Sequence, residues 1–292
     1  MSVDLLQEKI RKFKNPSVVD MTVTEEMIPP QLRENSQDFL QISQTYCRQM
    51  LNALKETVPA VRFSFANFAL LGPNGLAVLQ ELLDYASALG YYVILDSAEV
   101  WSPAAAQYCA DLLFADNSPW HFDSLILPTY IGSDGLKPFA KAVAKGEKSI
   151  FGVVRTGNKS ATELQDLFTG NRLSHMAAAD LVNRLGEPMQ GKSGYNKIGA
   201  MAGAASADSL RSLRSKYPHL FLLLDGYDYP NANAKNCSYA FDRLGHGAAA
   251  CAGSSILGAW MEEGADPENY IQLAVDAAER MKKNLCRYIT IL

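Results

Sequence analysis

Eight short runs of apolar, β-forming residues, separated by longer segments of helical period, restrict the fold of this 292-residue chain more than any other feature. The runs are Ser17–Met21, Val61–Ala66, Tyr91–Leu95, Phe122–Leu127, Ser149–Val154, Lys197–Met201, Leu220–Leu224 and Ala248–Ala252. Most are rich in Val, Ile, Phe and Leu without polar alternation, which is the pattern of strands buried on both faces of a parallel sheet. The sixth and eighth are instead rich in Ala and Gly. Helical periodicity covers Asn35–Glu56, Gly75–Leu89, Ala104–Phe114, Asp134–Ala144, Ala161–Phe168, Leu173–Leu185, Ser206–Lys216 and Pro267–Cys286, with Ser206 as an N-cap and Asp208 in the first turn. Eight such units make a (β/α)8 TIM barrel, a fold of about 250 residues. An open doubly wound sheet is the competing architecture. It is disfavoured because no G-x-G-x-x-G follows the first strand and no G-x-x-x-x-G-K-[ST] occurs. No repeat or linker divides the chain, so residues 1–292 read as one domain, with helices in 1–16 and 267–292 packed on the barrel. The Gly-rich, polar stretch Gly186–Asn196 is expected to be the most mobile connection.

Composition narrows the function classes. A net charge of −4 argues against a nucleic-acid surface, though not against a local pocket for one small anion. No apolar run approaches the roughly 18 residues of a membrane span. The charged stretch Met1–Lys14 lacks the apolar centre of a signal peptide, which makes the cytoplasm the expected location. Cys47, Cys109, Cys237, Cys251 and Cys286 form no CxxC pair, so reduced thiols are expected rather than a disulfide framework or a zinc site. His121, His175, His219 and His246 are equally scattered, without metal-ligand spacing.

In a barrel of this type chemistry sits where strands end and βα loops begin. Four of those ends resemble the longer bacterial subfamily of orotidine 5′-phosphate decarboxylases. Leu71-Gly-Pro-Asn-Gly-Leu76 resembles "LGPEGL", and Tyr130-Ile-Gly-Ser-Asp-Gly-Leu-Lys-Pro-Phe139 resembles "YLGxDSLxPF". Arg155-Thr-Gly-Asn158, with Glu163-Leu-Gln165 behind it, is similar to "RTSNPxxxxLQ", and Gly199-Ala-Met-Ala-Gly-Ala204 to "GxVVGA". The matches run in family order from about Val61 to Gly258. The resemblance implies a dimeric barrel with active sites near the subunit interface, a pyrimidine nucleoside monophosphate as ligand, and neither metal nor organic cofactor. The family reaction removes the C6 carboxylate of orotidylate and forms a very basic carbanion, which needs a nearby cation and a proton donor. One lysine supplies both, within an array of lysines and aspartates that includes a D-x-K-x-x-D motif after the third strand.

The array is altered here. Asp96 matches the first aspartate of the motif, Ala98 stands at the lysine and Trp101 at the second aspartate, and no Lys occurs between Lys55 and Lys137. The strand-two lysine aligns with Arg62, the strand-one aspartate of "GLDP" with Thr22 (Asp20 lies close by), and the base-reading serine with Gly157, while Thr156 and Asn158 remain. The strand-seven "PGVGAQGG" aligns with Asp225-Gly-Tyr-Asp-Tyr-Pro-Asn-Ala232, which puts Gly226 in the loop and Pro230 at a phosphate-contacting glutamine. "NSSRGI" aligns with Ala252-Gly-Ser-Ser-Ile-Leu257, so the phosphate arginine is also gone. Lys159, Lys192 and Lys197 are the lysines that topology places nearest for a substitute.

The expected catalytic pair is therefore Asp96 and Arg62, and the expected substrate-binding set is Thr22, Thr156, Asn158, Gly226, Ser254 and Ser255. Gly253–Ser255 can cradle a phosphate through N–H groups, and Asp225 and Asp228 oppose that by repulsion. Arg62 with Asp96 equally reads as a structural ion pair, Trp101 as a packing or interface residue, and Tyr227 and Tyr229 as loop anchors. Three readings follow: a family member with lost or strongly reduced decarboxylase activity, a non-catalytic barrel that binds a ligand or partner subunit, and a barrel with new chemistry on Asp96 and Asp228.

Overall fold

The computed structural model describes residues 2–34, 38–96 and 100–292. Ala98 therefore lies outside the described residues, as does the start of the Asn35–Glu56 segment. Eight parallel strands close into a barrel in sequence order. They are β1 (Ser17–Asp20), β2 (Ala60–Ser64), β3 (Tyr92–Asp96), β4 (Ser124–Pro128), β5 (Ser149–Arg155), β6 (Ile198–Gly203), β7 (Leu222–Asp225) and β8 (Ala248–Ala252). The expected TIM barrel is what the chain forms, with helices outside it.

The Ala- and Gly-rich strands have a packing reason. A Cβ at Gly199 of β6 would meet the Phe151 ring at 2.6 Å and the Phe221 carbonyl at 2.7 Å, so the small residue makes room for large neighbours from the adjoining strands. Their rings lie 6.0 Å apart, centroid to centroid, and fill the space a larger β6 side chain would take.

Helix Ser2–Phe13 closes the N-terminal end of the barrel: Ser2 N–H donates to the Glu147 carbonyl (2.9 Å) and Val3 N–H to Ser149 Oγ (3.2 Å). Helix Tyr270–Cys286 packs on helix Phe39–Leu54, with the Tyr270 hydroxyl donating to Gln49 Oε1 at 2.8 Å. Asp38 caps Phe39–Leu54, accepting from Leu40 N at 2.9 Å, and a separate short helix, Pro30–Glu34, precedes it.

One expectation fails. Ala161–Phe168 is no α-helix: Lys159–Glu163 is a 3₁₀ turn, and Phe168–Thr169 pairs antiparallel with Arg172–Leu173. Competing partners pull the segment out of helical register. The Asp166 carboxylate is held by Arg155, the Gln165 carbonyl accepts from His175 N (2.9 Å), and Gly170 turns the chain at φ +68°. The stretch Gly186–Asn196 carries anchors to the rest of the chain. Its Ser193 N–H and hydroxyl donate to Asp4 at 2.8 and 2.6 Å, and Gly191 N–H donates to the Tyr195 carbonyl.

The candidate active site at the barrel mouth

Three carboxylates converge on one guanidinium. Asp20, Asp96 and Asp225 are the last residues of β1, β3 and β7, and Arg62 stands in β2, in register with Asp20. Arg62 Nη1 donates to Asp225 Oδ1 at 2.5 Å, Nη2 donates to Asp96 Oδ2 at 2.5 Å, and Asp20 Oδ2 lies 3.5 Å from Nη1. Arg62 is 9% exposed. Burial opposes its charge, but Asp20, Asp96 and Asp225 outweigh that and push its pKa well above the ordinary arginine value. For Asp96 burial dominates. Attraction and hydrogen bonding from Arg62 pull the other way, the Asp20 and Asp225 charges add to burial, and its pKa is raised. The cluster carries a formal excess of two negative charges, which favours cations and repels an incoming phosphate.

Thr22 joins the cluster indirectly. Its N–H and hydroxyl donate to Asp20 Oδ1 at 3.1 and 2.7 Å. Thr156 and Asn158 sit on the turn after β5, where the Thr156 hydroxyl donates to Asn158 Oδ1 (2.5 Å) and Thr156 N–H to Gln165 Oε1 (2.7 Å). That turn is stapled from behind. Arg155 donates through Nε and Nη2 to both Asp166 oxygens at 2.9 Å, and its hydrogen bond is the main reason the Asp166 pKa falls below the ordinary carboxylate range. His175 is buried beside the pair, its Nδ1 2.9 Å from the Gln165 carbonyl, and burial lowers its pKa.

The β8 turn closes on a carboxylate of the chain itself. Asp228 accepts from Gly253 N–H at 2.6 Å, from the Ser254 hydroxyl at 3.3 Å and from the Ser255 hydroxyl. The next residue, Tyr229, lays its ring against Gly157 and Gly226, where a Cβ would meet ring carbons at 2.8 and 2.4 Å. Gly226 also needs its glycine conformation, at φ +72°. The turn abuts the charge cluster, since a Cβ at Gly253 would lie 3.3 Å from the Asp20 Cβ. Behind Tyr229 opens a cleft of about 620 Å³ lined by Lys159, Thr162, Ser206, Pro230 and Asn231.

No protein-family model matches the chain. It is 33% identical over 266 residues to the orotidine 5′-phosphate decarboxylase of Rhodopirellula baltica, covering 87% of this chain and 88% of that protein. The chain belongs to the orotidine 5′-phosphate decarboxylase family. The enzyme of the same name from Petrotoga mobilis is 24% identical over 287 residues, 98% of each chain. In fold, the chain superposes on Plasmodium berghei orotidine 5′-monophosphate decarboxylase with a TM-score of 0.77, at 13% identity and 98% coverage of each chain. For Leishmania donovani OMP decarboxylase the TM-score is 0.70, at 21% identity, covering 97% of this chain and 99% of that one.

Both Nη groups of Arg62, which the resemblance aligns with the strand-two lysine, are engaged by carboxylates. Two of the three lysines that topology placed nearest lie elsewhere. Lys197 precedes β6 at the opposite end and donates to the Gly146 carbonyl (2.8 Å), and Lys192 N–H donates to Asp4, on the helix that closes that end. Lys159 lines the cleft behind Tyr229. Trp101 is 74% exposed. Among the described residues no group of three or more His, Cys, Asp or Glu side chains is arranged to hold a metal ion.

Four residues that shape the mouth were not in the expected set: Asp20, Asp225, Asp228 and Tyr229. Asp20 and Asp225 carried a signal, because an acidic residue ending an otherwise apolar strand has no packing reason to be there. Asp228 was named for repulsion or new chemistry and Tyr229 as a loop anchor, but the contacts they make in the mouth depend on how the loop folds back.

Proposed function

We propose that this chain is a member of the decarboxylase family that no longer decarboxylates orotidylate at a useful rate. It keeps a pocket for a pyrimidine nucleoside monophosphate or a related small molecule. The observation that carries the reading is the state of Arg62. Loss of the C6 carboxylate leaves a carbanion that must be stabilised by a free cation and then protonated. A guanidinium bonded to Asp96 and Asp225 has little charge left to offer, and with its pKa raised it is a poorer acid than an ordinary arginine. Ala98, at the lysine position, has no proton to give. In this reading Asp96 and Arg62 form the floor of the pocket. Thr22, Thr156, Asn158, Gly226, Ser254 and Ser255 line it.

We further read residues 1–292 as one cytoplasmic domain that pairs with a second copy of itself. Trp101, Tyr108 and Tyr130 are 74%, 67% and 53% exposed and all lie on the β3–β4 side. A second copy covering that face would shield them from water. Sedimentation should show a dimer that Trp101→Asp weakens.

Loss of orotidylate absorbance decides the main reading. The wild type is expected to show no turnover above buffer, and Ala98→Lys is expected to show a measurable gain. Turnover by the wild type that survives Arg62→Ala and Asp96→Ala would overturn the reading. The alternative of a non-catalytic binding subunit is favoured by the occupied β8 turn, and it predicts the same silence without rescue by Ala98→Lys.

A further inference from the structure

Two consecutive residues of the β7 loop sit in the mouth where a ligand's ring and anion would go. The Tyr229 ring covers Gly157, at the position the family resemblance gives to base contact. The Asp228 carboxylate takes the Gly253 N–H and the Ser254 and Ser255 hydroxyls, donors that would otherwise face the pocket. We propose that the segment Asp228–Asn231 of this loop is a built-in plug, which fills the mouth with the chain's own aromatic ring and own anion until it swings out. The proposal rests on the reading of this mouth as the ligand pocket.

Three features of the loop fit such a device. The loop that carries it bends left-handed at two points, Gly226 at φ +72° and Asn231 at φ +71°. Internally the loop is closed by turns, with Tyr229 N–H on the Gly226 carbonyl and Ala232 N–H on the Tyr229 carbonyl, both at 3.0 Å. Tyr227 anchors the loop, its N–H donating to the Cys251 carbonyl at 3.0 Å and its ring packed on the core, while Tyr229 beyond it is 43% exposed, so withdrawing Asp228–Asn231 uncovers little core. A tethered carboxylate also competes with a free anion at a high effective concentration. A phosphate ester must displace it against the repulsion of Asp228 itself.

Calorimetric binding of inorganic phosphate and of uridylate at low ionic strength tests this, with circular dichroism and a cooperative melt confirming that each variant is folded. Asp228→Ala is expected to bind phosphate about tenfold or more tightly than the wild type, because it removes one like charge at hydrogen-bond range and frees three donors. Asp228→Asn should fall between the two, and it serves if Asp228→Ala does not fold. Tyr229→Ala should leave phosphate binding near wild type and tighten uridylate. Equal phosphate affinities in wild type and a folded Asp228 variant overturn the plug and leave the functional reading standing. Orotidylate turnover by the wild type overturns the functional reading and leaves the phosphate comparison standing.

Discussion

The two ends of this barrel hold their cations in opposite ways. At the N-terminal end Arg214 donates to the Ala240, Pro218 and Gly247 carbonyls at 2.7, 2.9 and 2.7 Å. Lys197 donates to the Gly146 carbonyl beside the neighbouring strand. These partners are neutral dipoles. Burial therefore lowers the Arg214 pKa, with Tyr195 and Asp242 opposing it only in part. At the mouth Arg62 is surrounded by full negative charges and its pKa moves the other way. At one end the cations Arg214 and Lys197 are fastened by carbonyls that never titrate. The other is balanced by charges that do, so its stability and its ligand preference respond to pH.

Removing the central cation should give the largest effect. Arg62→Met would leave Asp20, Asp96 and Asp225 buried together, at a cost of about 4 kcal/mol near neutral pH by urea unfolding. The sign with pH is fixed by repulsion. Without Arg62 the carboxylates favour the protonated form in the fold, so the defect should shrink as pH falls through the carboxylate range and grow as it rises. A defect independent of pH would break the contrast between the ends.

Asp166→Asn comes next, at about 3 kcal/mol, because it strands the buried Arg155 guanidinium. The folded-state pKa of Asp166 is lowered, so its stabilisation is present above the ordinary Asp value of about 3.9 and is lost as pH falls through the lowered value. At the N-terminal end Arg214→Met should cost about 2 kcal/mol through lost hydrogen bonds to carbonyls. That cost should be the same at pH 5 and pH 8, the behaviour the mouth variants lack. Ser193→Ala should cost about 1 kcal/mol and speed hydrogen exchange in Gly191–Asn196, since it removes one hydroxyl bond to Asp4.

Much of the scaffold was legible because burial on both faces leaves a direct mark on sequence. Apolar runs such as Leu222–Leu224 can scarcely be anything but interior strand. The β5 loop was misread because a helical pattern in Ala161–Phe168 competes with side-chain partners distant in sequence or hidden in a turn. Asp166 takes Arg155 and Gln165 takes Thr156. Propensity cannot anticipate such bonds, and here they outweigh it. The anchor of Gly186–Asn196 was hidden for a similar reason, since Asp4 lies far away along the chain.

The absence of any Lys between Lys55 and Lys137, the arginine at position 62 and the acids Asp20, Asp96 and Asp225 are properties of the sequence alone. They already argued against the family chemistry, because a residue type sets which protons exist to be moved. Only the tertiary structure decided that Arg62 is neutralised by Asp96 and Asp225 rather than left free. It also decided that Asp228 and Tyr229 fold back into the mouth. Those facts depend on strand register and on a loop bent at Gly226 and Asn231, and closure of the barrel is what brings β1, β2, β3, β7 and β8 to one point.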